Sequence, residues 1–241
     1  MCALSARAYA YSVARTALLT CLATIALVGS LTANAGSISV APLRLIYTSG
    51  TVIAAITVEN SGLEEALVQT ETFLWSQPNG VHKLDPTDDV VAVPPVFRLA
   101  PGAKQLVRVG LTRAFTDAEE RTFRLTVTEV PTVVKPGTIA VAVRHSLPIF
   151  VRPGSPASSK LAVKRGAANS LAITNNGGQH IRIHGWRLRE SSGAVLAEGT
   201  GPGYLLAGAH LALVIAGVRV AGPVMFEADS DAGTTKIALA D

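Results

Sequence analysis

Histidine and aspartate are the residues of this sequence whose spacing could support metal or acid–base chemistry. His180 and His184 are four positions apart, a spacing that can bind zinc when both residues lie on one face of a helix. They stand in strand-like sequence, where four residues span about 13 Å, which is too far for one metal ion. Asp88 and Asp89 are adjacent and would face opposite sides of a strand, so a solvated turn is the better interpretation. We therefore predict no metal site.

Nucleophile and phosphate-binding motifs are also missing from the sequence. It has no Gly-x-Ser-x-Gly elbow and no glycine-rich phosphate loop. Both cysteines, Cys2 and Cys21, lie in the first 35 residues, so the chain beyond them has no cysteine nucleophile. The sequence has no basic block with interleaved aromatic residues, so it gives no indication of a nucleic-acid partner. We expect a protein that is not an enzyme and that uses no metal or small-molecule cofactor.

The first 35 residues have the three parts of a secretory signal peptide. Two arginines precede an uncharged, apolar stretch at 16–32, and residues 33–35 form a small-x-small cleavage site. We expect cleavage before Gly36, which leaves 206 of the 241 residues in an exported chain. Loss of the two arginines leaves 19 of the 21 basic residues against 17 acidic ones, a net charge near +2.

Residues 138–153 carry the pattern around which the rest of the chain is arranged. The bulky apolar residues of one side, at a period of two, include Ile139, Val141, Val143 and Leu147. Pro148 lies inside the run, and because proline cannot donate to a sheet ladder it indicates an edge strand or a strand end. An apolar edge strand exposes unpaired backbone groups, so it is either covered by the rest of the fold or pairs with a partner.

Short strands broken by Gly, Pro, Asn and Asp fill the sequence from residue 37 onward. About seven strands precede the segment 152–156 (Arg-Pro-Gly-Ser-Pro), whose composition is typical of an exposed hinge. A second set of strands follows, without an evident internal sequence repeat. The spacing predicts an all-β protein with immunoglobulin-like β-sandwich domains. The predicted organisation is a signal peptide at 1–35, an N-terminal domain at 36–153 and a C-terminal domain at 156–241.

Residues 94–108 resemble the signature of the periplasmic pilus chaperones of the PapD-like family. They read Pro-Pro-Val-Phe-Arg-Leu-Ala-Pro-Gly-Ala-Lys-Gln-Leu-Val-Arg, which is similar to the family's Pro-Pro-x-x-Arg-Leu-x-Pro-Gly-x-x-x-x-Val-Arg. Residues 128–131 (Thr-Glu-Val-Pro) and 150–153 (Phe-Val-Arg-Pro) resemble two further motifs of the family. The run Ser-Leu-Pro-Ile-Phe-Val at 146–151 is similar to that of the archaic, Csu-type branch.

The resemblance implies two immunoglobulin-like domains set at an angle and a periplasmic chaperone of a chaperone–usher pilus. Such a chaperone binds and folds pilus subunits by donor-strand complementation, lending its last domain-one strand to a subunit that lacks one. It then delivers the subunit to an outer-membrane usher. Here the lent residues would be Ile139, Val141, Val143 and Leu147. A free chaperone could also hide this edge by self-association.

The resemblance further implies a pair of basic residues that bind the subunit's C-terminal carboxylate in the cleft between the domains. Arg44 matches the first, and a guanidinium suits a carboxylate because it can donate two parallel hydrogen bonds. The alternative for Arg44 is a solvated strand residue. Pro148 stands where familiar members have a lysine, so Arg144, four residues earlier on the same face, is predicted to replace it.

A second implied feature is a charge pair that fixes the angle between the domains. Arg108 and Glu120 match the family positions, together with an acid of domain two that would be Asp229 or Asp231. The alternative for Glu120 is that it caps a turn.

Two other classes of function remain open. The first is a surface structural or adhesive β-sandwich protein of a pilus system. A pilin of that kind should carry an aromatic residue in its C-terminal strand, and residues 236–241 have none. The second is a secreted hydrolase on a sandwich scaffold, which would need a convergent cluster of acids, bases or metal ligands.

Overall fold

The computed structural model describes residues 38–116, 118–131, 142–154, 157–167, 169–215, 217 and 222–239. Within these residues the chain forms 17 β-strands and one short 3-10 turn at Pro78–Gly80. The predicted signal peptide lies outside the described residues. No helix in this part of the chain is long and apolar enough to cross a membrane.

Two sheets make up the first half of the described chain. Its ten strands are β1 (Ile38–Ala41), β2 (Leu45–Tyr47), β3 (Ile53–Asn60), β4 (Ala66–Ser76), β5 (Lys83–Pro86), β6 (Val90–Val93), β7 (Val96–Leu99), β8 (Lys104–Leu111), β9 (Arg121–Val130) and β10 (Arg144–Val151). One sheet has the order β1-β3-β8-β6, and the other has the order β2-β10-β9-β4-β5 with β7 beside β4. The buried apolar faces of these sheets form one core.

Alternation of side chains explains this packing. On β8, Val107 and Val109 are fully buried, whereas Leu106 and Arg108 are exposed. Successive side chains of a strand point to opposite faces, so one face can pack on the core while the other meets solvent. The Tyr47 hydroxyl donates to the Val109 carbonyl at 2.6 Å and so ties β2 to the opposite sheet. Burial raises the pKa of Tyr47 to about 12, with a smaller opposing effect of a backbone hydrogen bond.

A second pair of sheets follows. Its strands are β11 (Leu161–Arg165), β12 (Ser170–Asn175), β13 (Ile181–Glu190), β14 (Val195–Leu205), β15 (His210–Val214), β16 (Val224–Ser230) and β17 (Gly233–Leu239). The sheet orders are β11-β12-β15 and β14-β13-β16-β17. The prediction of an all-β protein with two immunoglobulin-like sandwiches is confirmed. The sheets change between Val151 and Leu161, around the predicted hinge, and the limits 36–153 and 156–241 stay a prediction.

The segment before Tyr47 differs from its sequence pattern. The alternating residues at 37–47 suggest one strand, but β1 pairs with β3 in one sheet and β2 pairs with β10 in the other. Pro42 interrupts the ladder because it has no N–H to donate. The chain crosses between the sheets at residues 42–44, and this crossing carries Arg44 at its end.

The two halves share a buried asparagine that the sequence comparison of the halves missed. Asn60 Nδ2 donates to the Leu99 carbonyl at 2.9 Å, and Asn175 Nδ2 donates to the Leu205 carbonyl at 3.2 Å. Both asparagines are fully buried and stand at the end of a strand, Asn60 at the end of β3 and Asn175 at the end of β12. A buried amide needs such partners because an unsatisfied polar group is costly. The halves are therefore related by a short Asn-x-Gly motif rather than by a longer repeat.

Candidate functional site

Strand β10 has one fully paired side and one partly open side. Its residues pair antiparallel with β9 along the whole of Arg144–Val151. On the other side, β2 pairs in parallel with Ile149, Phe150 and Val151. In the described part of the chain, no strand pairs with residues 144–148 on that side. We define residues 144–148 of β10 as the open edge, and Pro148 at its end agrees with the interpretation of this residue as part of an edge strand or a strand end.

Backbone direction shows which groups face the open edge. The Arg152 N–H donates to the Tyr47 carbonyl at 2.9 Å on the β2 side, and the Val143 carbonyl accepts from Glu129 at 3.0 Å on the β9 side. Because backbone groups alternate along a strand, the even-numbered residues aim theirs at the open edge. Pro148 therefore removes an edge donor and costs β9 no hydrogen bond. The Ser146 N–H faces the open edge.

Of the four residues predicted to pack into the groove of a subunit, the structure describes Val143 and Leu147. Val143 is half-buried, and Leu147 is only 1% exposed within the core of its own sandwich. The inclusion of Leu147 is therefore corrected, because a side chain that fills its own core cannot also fill a partner's groove. Ile139 and Val141 lie outside the described residues. Their role stays a prediction.

A cleft of about 860 Å³ lies between the two sandwiches, beside the end of β10. It is lined by residues of both halves, including Arg44, Arg152, Arg182, Tyr204 and Asp231. The single carboxylate among these residues belongs to Asp231, which is 3.3 Å from Arg44 Nη1. Three guanidinium groups against one carboxylate make the cleft suited to an anion.

The structure brings Arg44 to this cleft but not Arg144. The Arg144 side chain donates from Nε to the Thr128 hydroxyl at 3.1 Å, away from the residues that line the cleft. Parallel pairing of Ile149 with Leu45 puts Arg44 level with Pro148, and four residues of strand separate Pro148 from Arg144 by about 13 Å. The prediction of Arg144 as the second carboxylate anchor is therefore corrected.

The basic residues that do share the cleft with Arg44 are Arg152 and Arg182. Arg152 follows β10, and Arg182 lies on β13 with its guanidinium 5.2 Å from the centre of the Tyr204 ring. Neither residue was predicted from the sequence as a site residue. The Arg-Pro motif that contains Arg152 was a usable signal, whereas nothing in the sequence brings Arg182 close to Arg44.

Glu120 links the two halves, although its partner differs from the predicted one. Its side chain is fully buried, and its Oε2 accepts from the His180 N–H at 3.0 Å and from His180 Nδ1 at 2.6 Å. Arg108 stands exposed on β8, on a face that points away from the core. The predicted pair of Arg108 with Glu120 is therefore wrong, because alternation on β8 turns Arg108 towards solvent.

The predicted acids of domain two also have other partners. Asp229 accepts from Arg187 at 3.3 Å, within its own sandwich. Asp231 contacts Arg44, so it does join the halves, but it does so at the cleft rather than at Glu120. The alternative that Glu120 serves only as a turn cap does not account for its contact with His180.

A polar and aromatic interface holds the cleft walls together. Gln77 Nε2 donates to the Tyr204 carbonyl at 2.7 Å, and the Leu206 N–H donates to Gln77 Oε1 at 2.7 Å. The Phe150 ring stacks on His180 with centroids 3.6 Å apart. Trp75 and Phe150 belong to the same buried cluster as the core of the second sandwich. The apolar core thus continues across the boundary between the halves.

His82 completes this interface from the side of the first sandwich. Trp75 Nε1 donates to His82 Nδ1 at 2.9 Å. Burial, and then the positive charge of Arg124, lower the pKa of His82. The neutral ring can therefore accept this hydrogen bond, which a doubly protonated imidazolium could not.

Metal-ligating side chains do not converge in the described ranges. No group of three or more His, Cys, Asp or Glu residues there could hold a metal ion. His180 faces Glu120 in the interface, whereas His184 contacts Asp231 at 2.5 Å at the edge of the cleft.

The arrangement of open edge and basic cleft is suited to binding an extended chain that ends in a carboxylate.

Comparisons with known proteins relate this chain to chaperones of pilus assembly. The family profile described as "Pili and flagellar-assembly chaperone, PapD N-terminal domain" matches residues 37–157. The chain is 30% identical over 151 residues to the probable fimbrial chaperone LpfB of Escherichia coli O157:H7. That alignment covers 60% of this chain and 60% of LpfB, which is less than two thirds of the relative.

Solved structures of similar fold include pilus chaperones alone and in complexes with their subunits. The CsuC–CsuE chaperone–tip adhesion subunit pre-assembly complex of archaic Csu pili from Acinetobacter baumannii matches with a TM-score of 0.64 and 18% identity, covering 85% of this chain and 99% of that chain. The Salmonella enterica SafA pilin complex with the SafB chaperone matches with a TM-score of 0.61 and 18% identity, covering 85% and 96%. At this identity the likeness concerns the fold, while the profile match covers half of the sequence. The chain belongs to the family of pilus and flagellar-assembly chaperones that has a PapD-type N-terminal domain.

Proposed function

We propose that this protein is a periplasmic chaperone that binds pilus subunits by pairing β10 with an incomplete subunit. The observation that carries the proposal is the open edge of β10, where, within the described ranges, residues 144–148 have a strand on one side only. An unpaired edge of this kind favours addition of a strand from another chain. The family membership of the chain supports a chaperone as the protein that presents it.

The side chains beside the open edge suit this role. Val143, the residue just before β10, continues the apolar row that the sequence predicts through Ile139 and Val141. Backbone hydrogen bonds would supply the affinity and the register, and alternating apolar side chains would fill the groove of the subunit. The subunit would thereby complete its sandwich and be prevented from pairing with other subunits.

Arg44 is the proposed anchor for the C-terminal carboxylate of the subunit. Its side chain is 46% exposed and lies level with Pro148, so it stands where the open edge meets the cleft. A strand that pairs with this edge and ends near Pro148 would bring its carboxylate to the guanidinium. A charge-assisted hydrogen bond there would fix the register of the strand.

Export and delivery complete the proposal. The leader-like residues 1–35 would direct the chain to the periplasm, where the subunit would be captured. The chaperone would then carry the subunit to an outer-membrane usher, where a strand of another subunit would replace β10.

Co-expression with pilus subunits of a chaperone–usher system tests the proposal. We expect a stable one-to-one complex in periplasmic extract with the wild-type chain. Val141→Asp and Val143→Asp should each weaken capture more than about a hundredfold, because each puts a charge into an apolar groove. Val195→Asp is the matched control, since Val195 is exposed on β14 of the second sandwich. Capture that is unchanged in both the Val141→Asp and the Val143→Asp variant, with the variants folded, would refute the proposal.

A further inference from the structure

Asp231 stands at the tip of a tight hairpin of the second sandwich. Strands β16 and β17 pair up to Ser230 and Gly233, so Asp231 and Ala232 alone form the turn. The Asp231 N–H donates to the Arg182 carbonyl at 3.2 Å, which fixes the turn against β13. The hairpin therefore holds the Asp231 side chain at a defined place on the cleft wall.

The Asp231 carboxylate reaches across the cleft to the first sandwich. Its Oδ2 accepts from Arg44 Nη1 at 3.3 Å, and its Oδ1 lies 2.5 Å from His184 Nε2. Desolvation raises the pKa of Asp231, but the hydrogen bond from His184 and the charges of His184, Arg44 and Arg182 outweigh it, so the pKa lies below its usual range. The carboxylate is therefore ionised at neutral pH.

We propose that the Asp231 carboxylate binds Arg44 in the free protein and that the terminal carboxylate of a subunit displaces it. This inference rests on the proposed function, because it takes Arg44 as the subunit's anchor. The chemistry of the two ligands is the same: one carboxylate on one guanidinium. Among the described residues, Asp231 is the one hydrogen-bond and ion-pair partner of the Arg44 side chain.

Exposure of the pair makes the displacement easy. The Arg44 and Asp231 side chains are 46% and 42% exposed, and ion pairs of this kind are weak because water screens them. Removal of the internal competitor should therefore raise the affinity for a subunit about two- to fivefold, not by orders of magnitude. The competitor keeps the guanidinium oriented towards the cleft and lets a carboxylate ligand replace it.

A competition between chaperones tests this inference. Wild-type and Asp231→Asn chains with different tags are co-expressed with a limiting amount of the pilus subunit, and the two complexes are recovered separately. We expect two- to fivefold more of the Asp231→Asn complex. Asn keeps the turn-forming character of Asp, so the hairpin should be retained. With a subunit extended by two glycines, which moves its carboxylate away from Arg44, the two complexes should be recovered equally.

Asp229→Asn is the matched control. Asp229 lies two residues before Asp231, near the end of β16, and its replacement removes the same charge, but its partners are Arg187 and Thr234 rather than Arg44. It should compete equally with the wild type. Equal or lower recovery of the Asp231→Asn complex with the native subunit would overturn the inference while the chaperone function stands. If no chaperone form recovers the subunit, the proposed function and the inference both fail.

Discussion

Replacement of Gln77 with alanine removes two hydrogen bonds that join the sandwiches beside the cleft. Gln77 lies just after β4 and is only 7% exposed. Its amide donates to the Tyr204 carbonyl and accepts from the Leu206 N–H, each at 2.7 Å. These contacts hold the wall that carries Arg182 against the wall that carries Arg44.

The expected cost follows from the burial of the partners. Leu206 is 5% exposed, so its N–H would lose its acceptor without ready access to water. An orphaned buried donor costs about 1–3 kcal/mol, and the lost hydrogen bond to Tyr204 adds about 1 kcal/mol. We therefore expect Gln77→Ala to lower the free energy of unfolding by about 2–4 kcal/mol.

Urea unfolding followed by tryptophan fluorescence measures this change. Trp75 reports on the interface, and Trp186 reports on the core of the second sandwich. Gln69→Ala is the matched control, because Gln69 lies where β4 pairs with β7 and β9, which both belong to the first sandwich. It should change the free energy of unfolding by no more than about 0.5 kcal/mol. A Gln77→Ala variant as stable as the Gln69→Ala variant would refute the view that this amide holds the halves together.

Two further predictions concern the role of Arg44 in subunit capture and the role of Tyr47 in stability at high pH. Arg44→Ala should weaken subunit capture in a pull-down while it lowers the free energy of unfolding by at most about 1 kcal/mol, because its pair with Asp231 is exposed; a larger loss in a thermal or urea melt would mark Arg44 as structural. Tyr47 has its pKa raised from 10.0 to about 12. The stability that neutral Tyr47 contributes should therefore be complete below pH 10 and lost as the pH rises towards 12, by about 3 kcal/mol. Tyr47→Phe should remove this part of the pH dependence in urea melts, and an unchanged pH dependence would contradict the role of burial.

Local sequence patterns predicted the part of the fold that depends on single strands. Alternating apolar residues and turn residues identified the sandwiches, and the motif at 94–108 identified the family. The position of Arg44 could be predicted because the family motif contains it. The open edge could be predicted because Pro148 cannot donate to a ladder.

Features that depend on pairing between distant segments could not be predicted. The crossing of residues 42–44 between sheets follows from which strand each neighbour pairs with, which alternation does not encode. Arg108 faces solvent because of the register of β8, and Glu120 meets His180, 60 residues further along the chain. Arg182 reaches the cleft only because β13 packs beside it. A residue's distance in sequence says little about such contacts.

Hydrogen exchange at two neighbouring amides of β10 tests the central claim most directly. The Ser146 N–H faces the open edge, whereas the Leu147 N–H faces β9. In the free protein we expect Ser146 to exchange fast and Leu147 to exchange slowly. When a pilus subunit is bound, Ser146 should exchange as slowly as Leu147, because a strand of the subunit then accepts its hydrogen bond. A Ser146 amide that still exchanges fast in the complex would show that the subunit binds elsewhere and would contradict the account.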